Sequence, residues 1–270
     1  MEIEFSVKDG IATIVLNRPA AMNSITEELC EQLVAALRRV DEDNDILVAI
    51  LTGAGERAFC TGSDLKLTPP PPEGLAVRKY GDHPGPAYDH LHPRLWREFQ
   101  GTFMKLDKPL IAAINGYALA GGLEFALLCD VRIAAEHAKF GLTEVKIGSI
   151  PGLGGTQRLP RTIAQSHAML MLLTGDHIDA QEALRFGLVS RVVPSPDLMA
   201  EANAIAARMA ANGPMSLRAI KQSVRMGLEM SLDHALDYEF TTWGLLRGTD
   251  DYKEGRRAFA EKRRPAFRSR

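Results

Sequence analysis

A pair of glycines, Gly121-Gly122, opens an apolar run that ends at Cys129, and one carboxylate, Glu124, lies inside it. This stretch constrains the chain more than any other. A strand-like segment, Leu110 to Ile114, reaches it through a short polar turn at Asn115-Gly116. From Gly121 onward the chain is apolar enough for a buried helix. The first amides of a helix have no intrahelical acceptor, and the helix dipole places partial positive charge there. Glycine at that start lets an oxygen atom come close to the bare amides. Helical spacing puts Glu124 near the same end. With Leu123, Phe125, Ala126, Leu127 and Leu128 around it, its carboxyl group must be paired, raised in pKa or functional. The plainer alternative is an acid that caps the helix start. Glu144 follows a short strand, Ala138 to Phe140, in an otherwise uncharged turn, and on local sequence it is equally an exposed turn acid.

The rest of the chain reads as alternating strands and helices. Ile3, Phe5 and Val7 alternate with polar residues, Asp9-Gly10 supplies a tight turn, and Ile11 to Leu16 is apolar and β-branched, so the spacing predicts a hairpin. Ser24 and Glu27 form a possible capping box before a helical stripe of Leu29, Leu33, Ala36, Leu37 and Val40. A strand, Ile46 to Leu51, follows. Strand, helix, strand in that order predicts a βαβ unit, and Leu110 to Ile114 and Val131 to Ala135 extend it to stacked turns of an α/β core. After Arg161 the chain is mainly helical: Ala164 to Leu173, Asp179 to Phe186, Asp197 to Ala211, Pro214 to Met226, Ser231 to Leu246 and Asp250 to Lys262. Pro194 and Pro196 divide residues 1–194, an α/β core, from residues 195–270, a helical region.

With 270 residues, 46% hydrophobic and 24% charged, the chain is long enough to bury one large core. A net charge of −2 argues against a general nucleic-acid binder. Cys30, Cys60 and Cys129 are odd in number and lack metal-ligand spacing, which points to reduced thiols in a cytoplasmic setting. No apolar run approaches the length of a membrane span. The first residues read as folded strand and not as a targeting segment.

Two further segments carry candidate chemistry. Phe59 to Lys66 is a turn of small residues whose amides can point into a cleft, although such turns are usually only turns. Thr68 to Leu95 is rich in proline and glycine and resists both helix and sheet. Its His83, His90 and His92 have no accompanying cysteine or acid cluster, so no metal site is expected. The segment reads instead as a wall or lid, with Tyr80 and Tyr88 available to line a pocket.

Four collinear stretches, LNRPAAMNS from Leu16, AFCTGSDLK from Ala58, NGYALAGGLEFALLCD from Asn115 and FGLTEVKIGSIPGLGGTQRLPR from Phe140, together resemble the crotonase, or enoyl-CoA hydratase/isomerase, superfamily. DDYKEGRRAFAEKRRPAF near the end extends the resemblance over nearly the whole chain. It implies a ββα spiral core with a C-terminal helical trimerisation region, assembled as a homotrimer or a dimer of trimers. It also implies an acyl-CoA substrate, with coenzyme A present as part of that substrate and no permanently bound cofactor.

By the same resemblance, the amides of Ser63 and Gly121 hold the thioester oxygen, and Asp64, Leu65 and Lys66 join them as substrate-binding residues. Glu124 and Glu144 share a water, to which Gly152 offers a further amide. Trp243 and Lys262 reach the coenzyme A of a neighbouring subunit. Three positions depart from the common pattern: Ser63 replaces a frequent alanine, Ala120 a frequent glycine, and Ala20-Ala21 stand where a basic residue is often found.

Preorganised donors at a developing oxyanion and two acids at one water are the parts that hydration of an enoyl thioester requires. The alternatives within the superfamily are a double-bond isomerase and a hydroxycinnamoyl-CoA hydratase. A non-catalytic scaffold is the reading from outside catalysis.

Overall fold

The computed structural model describes residues 1–67 and 94–268. The expectations for Tyr80, Tyr88, His83, His90 and His92 fall outside those residues.

The chain begins with the expected hairpin. Strand β1 (Ile3–Lys8) pairs antiparallel with β2 (Ile11–Leu16) through Asp9 and Gly10, whose φ of 51° and 75° suit a tight turn with right-handed strand twist. Helix α1 (Glu27–Glu42) then crosses to β3 (Val48–Gly53), which lies parallel to β2. All the stripe residues of α1 are buried. Its N-cap is Thr26, whose hydroxyl accepts from the Leu29 amide, and the helix starts at Glu27. The Ser24–Glu27 capping box is therefore not formed. Ser24 instead donates to Asp64 and receives the Arg18 guanidinium, which lies too far before the helix to cap it.

From β3 the chain repeats one manoeuvre. It leaves the main sheet, runs a short strand in a second sheet, and returns through a helix. Thus β3 is followed by β4 (Ala58–Cys60) and later α2 (Arg94–Lys105), and β5 (Leu110–Ile114) by β6 (Tyr117–Leu119) and α3 (Gly121–Leu128). Strand β7 (Val131–Ala135) is followed by β8 (Lys139–Gly141), a short turn at Glu144–Ile147, then α4 (Gly155–Thr162) and α5 (Gln165–Thr174). Two further short strands, β9 (Ile178–Asp179) and β10 (Arg191–Val193), flank α6 (Ala180–Arg185). The main sheet has the order β1-β2-β3-β5-β7-β10, and the second sheet has the order β4-β6-β8-β9. Every residue of β3 and β5 is buried, as expected of parallel strands covered on both faces.

One large core lies between the main sheet, α1, α2 and α3, and includes Phe99 and Phe103 of α2 against Phe125 of α3. A smaller core on the opposite face is closed by α7 (Leu198–Ala210) through Leu198, Ala202, Ile205 and Ala206. The chain passes through Pro194 and Pro196, both exposed, into α7, and burial falls off after Gly213. In α8 (Pro214–Gly227) Pro214 alone is buried, and α9 (Leu232–Leu246) buries nothing. In α10 (Asp250–Ala260), Glu254 gathers Arg257 and Arg263 and the Ala266 amide, so much of the basic terminus is paired within the chain.

Candidate active site

The second sheet delivers its strands to one cavity of about 430 Å³, lined among others by Ser63, Leu65, Gly121, Glu124, Glu144, Gly152 and Leu153. Each element arrives there for a local reason. Helix α3 can pack against β4 only because residue 122 is glycine: a Cβ there would collide with the Cys60 carbonyl. This close approach brings the Gly62 turn against the start of α3. A Cβ on Gly62 would lie 3.1 Å from the Gly121 nitrogen. Ile25 bonds across the turn on both sides of Ser63, its amide to the Gly62 carbonyl at 2.8 Å and its carbonyl to the Asp64 amide at 2.9 Å. The Ser63 amide is left out of this ladder. The Gly121 amide, at the first position of α3, has no intrahelical acceptor.

Glu124 is only 2% exposed. Its Oε1 accepts from the amides of Leu153 and Gly155, both at 2.7 Å. The Gly155 amide is the first of α4, so a second helix N-terminus faces the same carboxylate. Burial raises the pKa of Glu124 above its ordinary value, opposed by the Gly155, Leu153 and Gly152 amides and by the charge of Arg158. Two donors on Oε1 make that oxygen an acceptor, so a proton on this group belongs to Oε2.

Glu144, half-buried at the head of its turn, is held differently. Burial pushes it up to about 7, with a further rise from the Glu124 charge and a partial offset from its own amide. Its Oε2 is buried and has no hydrogen-bond partner. A buried polar atom left this way is costly unless something visits it. The cavity therefore holds two carboxyl groups with unlike environments, one with two amides on a single oxygen and one with a bare buried oxygen.

The remaining sequence-predicted residues are spread more widely. Leu65 lines the cavity and is 63% exposed. The Asp64 carboxylate turns to Arg18 at 3.0 Å and Ser24 at 3.2 Å, tying the 16–24 and 58–66 segments together. Lys66 is exposed beside them, its amide bonded to Asp64. Trp243, on α9, stacks with Arg247 and Phe240, and Lys262 stands exposed after α10; neither lines this cavity in its own chain. Sequence reasoning missed the amides of Leu153 and Gly155, the side chain of Arg158, and the lining by Thr143, Ile147, Ser149 and Ile150. The PGLGG turn was the only signal for any of them. Among the described residues no group of His, Cys, Asp or Glu is placed to hold a metal.

The family model described as "Enoyl-CoA hydratase/isomerase" matches residues 6–270. The chain is 50% identical to the (E)-benzylidenesuccinyl-CoA hydratase of Thauera aromatica, covering 99% of both chains. It is 40% identical to the 2,3-dehydroadipyl-CoA hydratase of Escherichia coli, over 100% of this chain and 99% of the relative. A crystal structure of an enoyl-CoA hydratase from Bacillus anthracis superposes with a TM-score of 0.89 at 39% identity, with all of both chains covered. The chain belongs to the enoyl-CoA hydratase/isomerase family, and its two-sheet core is the crotonase-like α/β fold.

Proposed function

We propose that the protein is a hydro-lyase that adds water across the 2,3 double bond of an enoyl-CoA thioester to give the 3-hydroxyacyl-CoA. The thioester oxygen sits between the amides of Ser63 and Gly121, which stabilise the enolate charge that develops as water attacks Cβ. Glu124, the better-held anion, takes a proton from the attacking water, whose oxygen bonds to Cβ. Glu144, uncharged near neutral pH, delivers its proton to Cα. The pair is reset when the proton on Glu124 passes to Glu144 through the next water. Because the two acids interact, their titrations belong to the pair.

The observation that carries this reading is the contrast within one cavity between a carboxylate gripped by two amides and a carboxyl raised to about 7 with a bare oxygen. An isomerase needs a single group to move a proton between carbons, whereas two acids either side of a water suit addition. The 50% identity to the benzylidenesuccinyl-CoA hydratase supports an aryl-substituted acyl group as the first to try, against a wall of Leu65, Ile147, Ile150 and Leu153.

Coenzyme A enters as part of the substrate, with no permanently bound cofactor. The unpartnered apolar surface of α8 and α9 supports a homotrimer or a dimer of trimers, in which Trp243 and Lys262 serve a neighbour's coenzyme A. No helix among the described residues is long and apolar enough to cross a membrane. The buried free thiols of Cys30, Cys60 and Cys129, all pushed up to about 12 by burial, suit a reducing, cytoplasmic compartment.

The test is loss of conjugated thioester absorbance with crotonyl-CoA and with (E)-benzylidenesuccinyl-CoA. Glu124→Gln and Glu144→Gln are each expected to lower turnover at least about a hundredfold while the protein stays folded. No loss of absorbance with either thioester, or near-normal turnover in both variants, overturns the reading.

A further inference from the structure

The turn that holds Glu124 is itself held, and by one side chain. Arg158 lies on α4 and bends back beneath the Pro151–Gly155 turn. Its Nη1 donates to the Leu153 carbonyl at 2.7 Å, on the residue whose amide grips Glu124 Oε1. A Cβ on Gly154, which has φ of 101°, would collide with this same Nη1, so the turn closes directly over the guanidinium. On its other side Nη2 meets the Met104 sulfur on α2 at 3.5 Å. The Met104 carbonyl is in turn held by Arg225 of α8. The guanidinium is therefore clamped between α2 and the turn, with little freedom to swing to solvent.

We infer that Arg158 is a positioning residue for the acid/base pair: it sets the turn whose amides hold Glu124 Oε1 and places a cation near that carboxylate. The bond to the Leu153 carbonyl fixes the Leu153–Gly154 peptide, which lies between the two peptides whose N–H groups, on Leu153 and Gly155, grip Oε1. A rotation of this peptide moves one donor off Oε1 and exposes a buried carboxylate to a larger desolvation penalty. The charge acts in the same sense. Among the described residues, the charged groups that face Glu124 are Arg158 from α4, which lowers its pKa, and Glu144 from the following turn, with which it repels. Cys60, on the strand against which α3 packs, is a neutral thiol. Arg158 is the cation among these, and its removal leaves two acids facing each other.

The inference rests on the proposed hydration for its kinetic test and on spectroscopy for its independent one. Arg158→Gln keeps a donor for the Leu153 carbonyl and removes the charge, whereas Arg158→Lys keeps the charge and loses the fork. In the glutamine variant kcat is expected to fall on the order of tenfold with KM nearly unchanged. The acidic limb of the kcat profile moves up by about one pH unit, since a nearby opposite charge lowers a carboxyl pKa by about that much or more. Lys at 158 leaves the acidic limb in place and lowers kcat less.

An infrared titration of protein carrying isotope-labelled glutamate, with the Glu124 band identified by its loss in Glu124→Gln, reads the same upward shift without turnover. If wild-type protein hydrates neither thioester, the proposed function fails while this titration still decides the role of Arg158. Should the glutamine variant not fold, the lysine variant alone is read: an unmoved Glu124 band with reduced kcat supports the inference. A Glu124 titration that stays put in the glutamine variant, or moves equally in both, reduces Arg158 to a packing residue and overturns it.

Discussion

Ala120 sits immediately before the start of α3 with φ of 49° and ψ of −127°, a region that glycine enters freely and alanine does not. Its methyl group also faces Gly62, where a Cβ would come within 2.7 Å of it. The strain is on the order of 1–3 kcal/mol, and the extra unfolded-state entropy of a glycine offsets about 0.5–1 kcal/mol of any relief. Ala120→Gly is therefore expected to raise the melting temperature by a few degrees; a lower melting temperature would count against strain at this site. Glu144 makes a second prediction. Its carboxyl is raised from 4.5 to about 7 in the folded protein, so the folded state binds the proton more tightly than the unfolded chain. The stability this confers is present below about 4.5 and is lost as pH rises through about 7. Glutamine at 144 does not titrate. The gain in melting temperature of Glu144→Gln over wild type should be larger at pH 8 than at pH 5, and an equal gain at both would contradict it.

At the scale of elements, α1 shows how a helix end is satisfied from a distance. Lys108, 1% exposed, donates from Nζ to the carbonyls of Val40 at 2.7 Å and Asp43 at 2.6 Å. Those carbonyls have no intrahelical donor, and a cation there also meets the negative end of the helix dipole. Burial, with help from Arg218, pulls the lysine pKa down, while Asp41 and Asp43 oppose it. Lys108→Met leaves the buried Val40 carbonyl without a donor, while the Asp43 carbonyl keeps the Ile46 amide, and is expected to cost about 1–3 kcal/mol in urea unfolding. Unchanged stability would mean that water replaces the ammonium. The start of α1 was misjudged in sequence because Ser24 and Thr26 are equally good caps. The choice was made by Arg18 and Asp64, which occupy the Ser24 hydroxyl.

For the molecule as a whole, the unfinished surface is the α8–α9 hairpin. Ile220, Val224, Leu236, Phe240 and Trp243 line an open apolar groove of about 760 Å³, and Phe240 is 70% exposed. A patch of this kind on a stable protein calls for a covering partner. Phe240→Asp should reduce the mass measured by light scattering while leaving the far-ultraviolet spectrum of the core unchanged. A variant that keeps the wild-type mass removes this hairpin from the proposed assembly.

The stacked strands and helices were legible because their periods are local: the α1 stripe, the β-branched Ile11 to Leu16 and the glycines at 121 and 122 each carry their instruction within a few residues. Glu124 was legible too, since a lone carboxylate in an apolar helix has few innocent explanations, whereas Glu144 was singled out only by the family resemblance. The difference in their surroundings was not legible. It depends on the amides of Leu153 and Gly155, which sit about thirty residues from Glu124 and belong to the backbone, and a backbone N–H has no letter in a sequence. It depends also on how deeply each carboxyl group is buried, a property of every layer packed around the cavity. Residue order determined which groups this chain carries to its site; the tertiary fold alone decided which oxygen is gripped and which is left bare.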